Sequence, residues 1–200
     1  GLATFGIRTG SIVDVAVQAD GKLLFAGADN YTVARLHPNG SIDTTFGTSG
    51  KVTFKASSWS KDTGRAYSIA LQRIPASTGP EHIVLGGTAY AGTSARRMAT
   101  MRLRPNGALD TTYGTGGRSY TDPGPYEEII HKIRVDGQNR ILAAGQIKTA
   151  AVNCGSYPDD IILARYNVNG SLDSGFGTNG LTRSDVYGGS DIVEYPGLEL

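Results

Sequence analysis

Apolar residues in this chain come in short runs of about four to seven, each closed by a turn dipeptide. No segment keeps a 3.6-residue period over the ten or more positions that a helix needs. The first group of runs predicts strands over Val13–Gln18, Lys22–Ala26, Thr32–His37 and Val52–Lys55, rich in Val, Ile, Leu and Tyr. Asp-Gly stands in "ADGK" between the first pair and Asn-Gly in "PNGS" between the second. Both dipeptides tolerate positive φ at two successive residues, so the pattern predicts type I′ hairpins.

The pattern then repeats. "RLHPNGSIDTTFGTSGKV" from Arg35 returns as "RLRPNGALDTTYGTGGRS" from Arg102 and as "RYNVNGSLDSGFGTNGLT" from Arg165. Gly40, Gly107 and Gly170 align, 67 and 63 residues apart. Upstream, "VAVQADGKLLFAGA" answers to "IRVDGQNRILAAGQ", whose "VDGQ" reads as a second Asp-Gly turn. In the middle copy the turn is replaced by the longer "RIPASTGPE". Four antiparallel strands in about 60 residues make a blade, and radially repeated blades make a β-propeller. The expected fold is therefore all-β, a propeller or propeller-like arc of four-stranded blades. One domain over 1–200 holds repeats at about 13–66, 67–128 and 129–187, with partial blades over 1–12 and 188–200. The small residues in "FAGA", "LGGT" and "AAGQ" suit close approach between blades.

Arg-x-x-x-x-Gly-x-Leu-Asp-x-x-Phe-Gly after a Gln-x-Asp-Gly-Lys-Ile-Leu-like run resembles the delta-60 repeat of bacterial β-propellers. The resemblance spans about Val13 to Arg183, and Tyr113 departs from the Phe46 and Phe176 of the other copies. It implies an exported or surface-associated bacterial propeller, extracellular, on the cell surface or periplasmic. It implies no catalytic residue.

Arg35 and Asp43, Arg102 and Asp110, and Arg165 and Asp173 are each eight residues apart. A bidentate Arg–Asp pair pinning each Asn-Gly turn is the structural expectation. Phe46, Tyr113 and Phe176 would then plug gaps between blades, and Gly47, Gly114 and Gly177 would let the chain reverse. The functional alternative is a ring of arginines lining an anion site.

Segments of uneven length separate strands two and three and join successive blades, where a rigid scaffold tends to carry binding residues. They hold Trp59, Tyr90, Arg96, Arg97, Tyr126, Tyr157, Asp159 and Asp160, with Glu127 and Glu128 nearby. Tyr and Trp beside carboxylates suit glycan or protein recognition. The plain alternative is solvated loops whose rings cover blade edges.

Charge narrows the chemistry. With 19 basic and 18 acidic residues, net +1, there is no basic stripe for nucleic acid. No apolar run approaches the ~20 residues of a membrane span. There is no nucleophile elbow, P-loop or His-Glu-x-x-His helix, so neither catalytic residue, metal nor cofactor is assigned. His37, His82 and His131 read as structural or exposed, and the lone Cys154 as a loop residue. The first residue is glycine and no secretory apolar segment opens the sequence, which fits a processed or excised chain. The expected role is a non-catalytic binding or structural module with a glycan or protein partner. A polysaccharide hydrolase or lyase using loop carboxylates is the alternative. An unclosed arc exposes sheet faces, so self-association or membership of a larger propeller is expected, with a four-bladed ring whose last blade is shared by the two partial blades as the alternative.

Overall fold

The computed structural model describes residues 11–55, 64–74, 79–90, 96–149 and 159–185. They form three four-stranded antiparallel sheets with no helix among them. The first contains β1 (Ile12–Val17), β2 (Leu23–Gly27), β3 (Tyr31–Leu36) and β4 (Lys51–Phe54). The second contains β5 (Arg65–Gln72), β6 (His82–Tyr90), β7 (Arg96–Leu103) and β8 (Arg118–Thr121). The third contains β9 (Glu128–Val135), β10 (Ile141–Lys148), β11 (Asp159–Tyr166) and β12 (Leu181–Ser184). Strands follow chain order across each sheet, so every sheet is one blade. The inner strands β1, β5 and β9 neighbour one another, which lays the blades side by side in an arc. The partial blades expected over 1–12 and 188–200 lie outside the described residues, apart from positions 11 and 12.

There is no single core. One apolar cluster lies between blades one and two and includes Leu24, Val33, Phe46, Ile69, Leu85 and Met101. A second lies between blades two and three and includes Val84, Met98, Tyr113, Ile130, Ile133 and Ile162. The alternation of each strand sends one set of side chains to each neighbouring blade. Burying a side chain of this size stabilises by roughly 1.5–3 kcal/mol, so lateral stacking is the main source of stability.

The hairpins differ from the expected type I′. The Gly40 amide donates to the His37 carbonyl at 2.9 Å and the His37 amide to the Ser41 carbonyl at 2.8 Å. Only Gly40 among these residues has positive φ, at 85°. This is a type I turn followed by a left-handed bulge residue. Pro38 enforces it here, because its ring fixes φ near −65° where a type I′ turn needs a positive value; the same turn forms at Val168 without a proline, where the Asn169 carboxamide accepts the Ser171 amide at 3.0 Å. In the third blade the left-handed residue is Asn139 (φ 61°), not the glycine of "VDGQ". The Asp136 carboxylate selects that register by accepting the amides of Gln138 and Arg140, both at 2.9 Å.

Each inner strand carries a β-bulge at the same repeat position, with Val13, Tyr67 and His131 as the extra residues. Opposite the bulges, Gly87 and Gly145 meet the Arg65 and Ile129 carbonyls of their own blade so closely that a Cβ would overlap them. Those two glycines therefore serve the bulge, whereas Gly86 faces Ile130 and Ile133 of the next blade.

Candidate functional site

The repeated motif builds one side-chain assembly three times. Arg35 Nε donates to Asp43 Oδ2 at 2.9 Å, Arg102 Nε to Asp110 Oδ2 at 2.7 Å, and Arg165 Nε to Asp173 Oδ2 at 2.7 Å. The pairs are single-toothed rather than bidentate, because the remaining guanidinium nitrogens of the first two go elsewhere. Arg35 Nη1 donates to the Pro105 carbonyl at 2.6 Å and Arg102 Nη1 to the Val168 carbonyl at 2.5 Å, each in the turn of the next blade. The guanidinium carbons lie 4.6, 4.8 and 4.7 Å from the ring centres of Phe46, Tyr113 and Phe176. The Phe46 and Tyr113 rings in turn press on Gly107 and Gly170 of the following blade, where a Cβ would sit 3.0 and 2.8 Å from ring carbons. The amides of Gly47 and Gly114 close the contact on the Asn106 and Asn169 carbonyls at 3.1 and 2.7 Å. The motif is thus an interblade clamp.

Each clamp aspartate caps its own turn, its Oδ1 accepting the amide of Thr45, Thr112 or Gly175 at 3.0–3.2 Å. A second basic residue at a shared repeat position faces it: Lys22 at 3.8 Å from Asp43, His82 at 3.6 Å from Asp110, Arg140 at 3.4 Å from Asp173. Burial disfavours the charge of Asp43 and Asp110, but the Thr hydroxyls and amides and the Arg charges outweigh it. Both carboxyls are therefore held below the ordinary range. Asp173 is lowered first by the Gly175 amide and then by Arg165. Burial pushes the His82 imidazole down, which leaves it neutral at pH 7. All three donor nitrogens of Arg102 have protein acceptors, in Asp110, Gln72 with Val168, and Thr112, which argues against an anion site there.

The residues singled out for binding are only partly together. Trp59 and Tyr157 lie outside the described residues, as does Cys154. Tyr90, Arg96, Arg97, Asp159 and Asp160 stand on strands rather than loops, because hairpin pairing continues to Tyr90↔Arg96 and Lys148↔Asp159. Tyr126 is half-buried in the connection between β8 and β9. Arg96 Nε donates to the Tyr90 hydroxyl at 3.0 Å and lies 3.9 Å from Glu127, whose other oxygen receives Lys148 Nζ at 2.6 Å. Beside them Asp159 Oδ2 accepts Gln146 Nε2 at 2.9 Å, and Gln146 Oε1 lies 3.0 Å from His131 Nε2. The His131 ring meets Tyr67 at 5.9 Å. Two bulge residues thus end a polar chain that crosses the loop end of blades two and three. Arg97 faces away, over the Tyr120 ring at 4.7 Å, and Asp160 pairs with Arg183.

Two acids at this end are out of the ordinary. Glu128 is fully buried, and the Gly124 amide only partly offsets the loss of water around its carboxyl. Burial, then the nearby Asp122, pushes its pKa up to about 8. Asp159 is raised chiefly by burial, and its Oδ1 is also buried without a partner. At the hub, Asp14 Oδ2 accepts the Ser68 hydroxyl, the Ile69 amide and Lys132 Nζ at 2.8–2.9 Å. Asp14, Ser68 and Lys132 occupy one repeat position in three blades. Because they are three residue types, the repeat alignment hides them as variation.

Three inner-stacked four-stranded blades joined by recurring clamps make this a β-propeller repeat protein, an arc of three blades. Residues 18–46, 82–113 and 139–176 match the family model described as a domain of unknown function (DUF5122) beta-propeller. Each matched stretch starts at or just after the first hairpin turn and ends on the clamp aromatic, so the family signature is the clamp and the strands that carry it. No curated protein matches the chain. Among the described residues no helix is long and apolar enough to cross a membrane, and no three His, Cys, Asp or Glu side chains form a metal-holding group.

Proposed function

We propose that the chain is a non-catalytic binding module of an exported bacterial protein, which recognises a glycan or protein partner at the loop end of blades two and three. The observation that carries this reading is the alternating set Arg96, Glu127 and Lys148 beside the Asp159–Gln146–His131 chain. Positive, negative and amide groups, on strands or (for Glu127) just before one, give a patterned polar edge between the Tyr90 and Tyr67 rings, half-exposed except for the buried Asp159. Rigid strand positions hold such groups more accurately than loops do. The bacterial and exported setting rests on the repeat's resemblance alone.

The polysaccharide-cleaving alternative draws on Glu128, since a carboxyl that is protonated at pH 7 is what a general acid needs. Its complete burial argues against that role, because a general acid must reach the proton's destination. Asp159 meets His131 only through Gln146, so no base and acid face each other across a cleft there.

A glycan array and a surface-protein pull-down, run with wild type and Arg96→Ala, test the reading alongside a reducing-sugar assay. Binding that Arg96→Ala weakens at least tenfold, without release of reducing ends, supports it. Release of reducing ends establishes the cleaving alternative. Binding unaffected by Arg96→Ala, or none at all, leaves this edge a solvated surface.

A further inference from the structure

One dipeptide stands in two different settings. Asn-Gly occurs at Asn39–Gly40, Asn106–Gly107, Asn169–Gly170 and Asn179–Gly180. In this pair the asparagine carboxamide is open to attack by the next backbone nitrogen, because glycine puts no Cβ in the way. Whether it reacts depends on how firmly the turn holds the two groups.

Three of the four are held. The Oδ1 atoms of Asn39, Asn106 and Asn169 each accept the amide two residues on at 3.0 Å, which fixes the carboxamide. In the second and third blades the clamp adds to this, since the Asn106 and Asn169 carbonyls accept the Gly47 and Gly114 amides at 3.1 and 2.7 Å. The glycines that follow, Gly107 and Gly170, are buried against the Phe46 and Tyr113 rings. To bring the Cγ of either asparagine onto the glycine nitrogen, the peptide between them must rotate, and that breaks the clamp contact.

Asn179 is the exception. It is exposed at the tip of the turn before β12, in the left-handed region at φ 54°. Neither its carboxamide nor its carbonyl has a hydrogen-bond partner among the described residues. The Gly180 amide donates to the Phe176 carbonyl at 2.8 Å, but the Gly107 and Gly170 amides also donate within their turns at 2.9 Å, so that bond does not separate the sites. The place itself stays open beside a docked neighbour. Ser49 and Gly116 hold the same left-handed position in the first and second blades, and both are exposed although a following blade packs against each.

We infer that Asn179 is a site of spontaneous deamidation in the folded protein, while the held turns shield the same dipeptide elsewhere. The Gly180 nitrogen gives up its proton to solvent and attacks Asn179 Cγ. The carboxamide C–N bond breaks and ammonia leaves. Water then opens the resulting succinimide at one carbonyl or the other, which gives aspartate or isoaspartate. Either product adds one negative charge. Isoaspartate also lengthens the main chain by one methylene ahead of Gly180, whose carbonyl receives the Arg165 amide at 2.9 Å. The site is independent of the loop-end binding surface, since this turn lies at the opposite end of the blade.

Peptide mapping by mass spectrometry, after incubating the purified chain in mildly alkaline buffer with and without urea, tests this. In the native chain the deamidated product is expected to accumulate at Asn179 at least ~10-fold faster than at Asn106 and Asn169, which must wait for their clamps to open. In urea the same three sites are expected to react at similar rates, because no turn holds them. Asn179→Ser, the residue that the first blade carries as Ser49, should remove the fast product from the native chain. A native chain that keeps Asn179 intact, one that modifies Asn106 or Asn169 as fast, or an unchanged ranking in urea would overturn the inference.

Discussion

Lys132 Nζ of the third blade lies 2.9 Å from Asp14 Oδ2 of the first, across 118 residues of sequence. Ser68 of the middle blade donates to the same oxygen, so one carboxylate joins all three inner strands. This hub and the clamps hold the blades from opposite ends: the hub ties inner strands together, and the clamps lock each hairpin turn to the next.

The hub makes a pH-dependent contribution. Burial opposes the charge of Asp14, but the Ile69 amide and Lys132 outweigh it and lower its pKa. A lowered acid stabilises the fold above the ordinary carboxylate pKa of about 4, and that contribution is lost as pH falls through the folded value. Asp14→Ala, which strands the Ile69 amide, is expected to cost about 2 kcal/mol at pH 7 by urea unfolding. The difference from wild type should shrink below pH 3.

Glu128 acts with the opposite sign. Its folded pKa of about 8 lies above the ordinary value, so the native state holds the proton more tightly than the unfolded chain. Stability from this group is full below about pH 4 and declines as pH rises through 8. Glu128→Gln is therefore expected to be near neutral at pH 4 and more stable than wild type at pH 8.5, by on the order of 2 kcal/mol. Thermal melts at the two pH values check it.

Asp110→Asn weakens the charged bond to Arg102 and leaves a buried guanidinium short of its counter-ion. A loss of about 2–3 kcal/mol is expected by denaturant unfolding. Asp173→Asn, on the less deeply buried third clamp, should shift the midpoint far less. Equal shifts would remove that distinction.

The third-blade turn separates two readings of one tetrapeptide. Asn139 has positive φ, so Asn139→Ala is expected to cost about 1 kcal/mol. Gly137 meets nothing within 4 Å of an added Cβ and has no positive φ, so Gly137→Ala should cost almost nothing. Unfolding midpoints of the two variants decide between the registers.

Strand content and blade count were legible because period-two apolar runs and Asn-Gly turns recur at near-constant spacing. Turn type was less so: Pro38 excludes the type I′ geometry that Asn-Gly suggests, and Asp136 can cap either of two registers. Strand ends at Tyr90, Arg96, Asp159 and Asp160 read as loop because polar residues there still pair across hairpins. At the candidate site, the Arg–Asp spacing marks a local contact but carries no sign of the carbonyl in the next blade. The polar chain on His131 and Gln146 was hidden too, since a bulge that turns His131 toward Gln146 leaves no mark in composition.

Amide hydrogen exchange at Gly47 and Gly114 tests the stacked, clamped arc most directly, because their only described acceptors are carbonyls of the neighbouring blade. Side-by-side blades predict exchange at least ~10³-fold slower than in an unstructured chain, following global unfolding. Exchange at the unstructured rate, with the strand interiors still protected, would mean that the blades fold without leaning on one another.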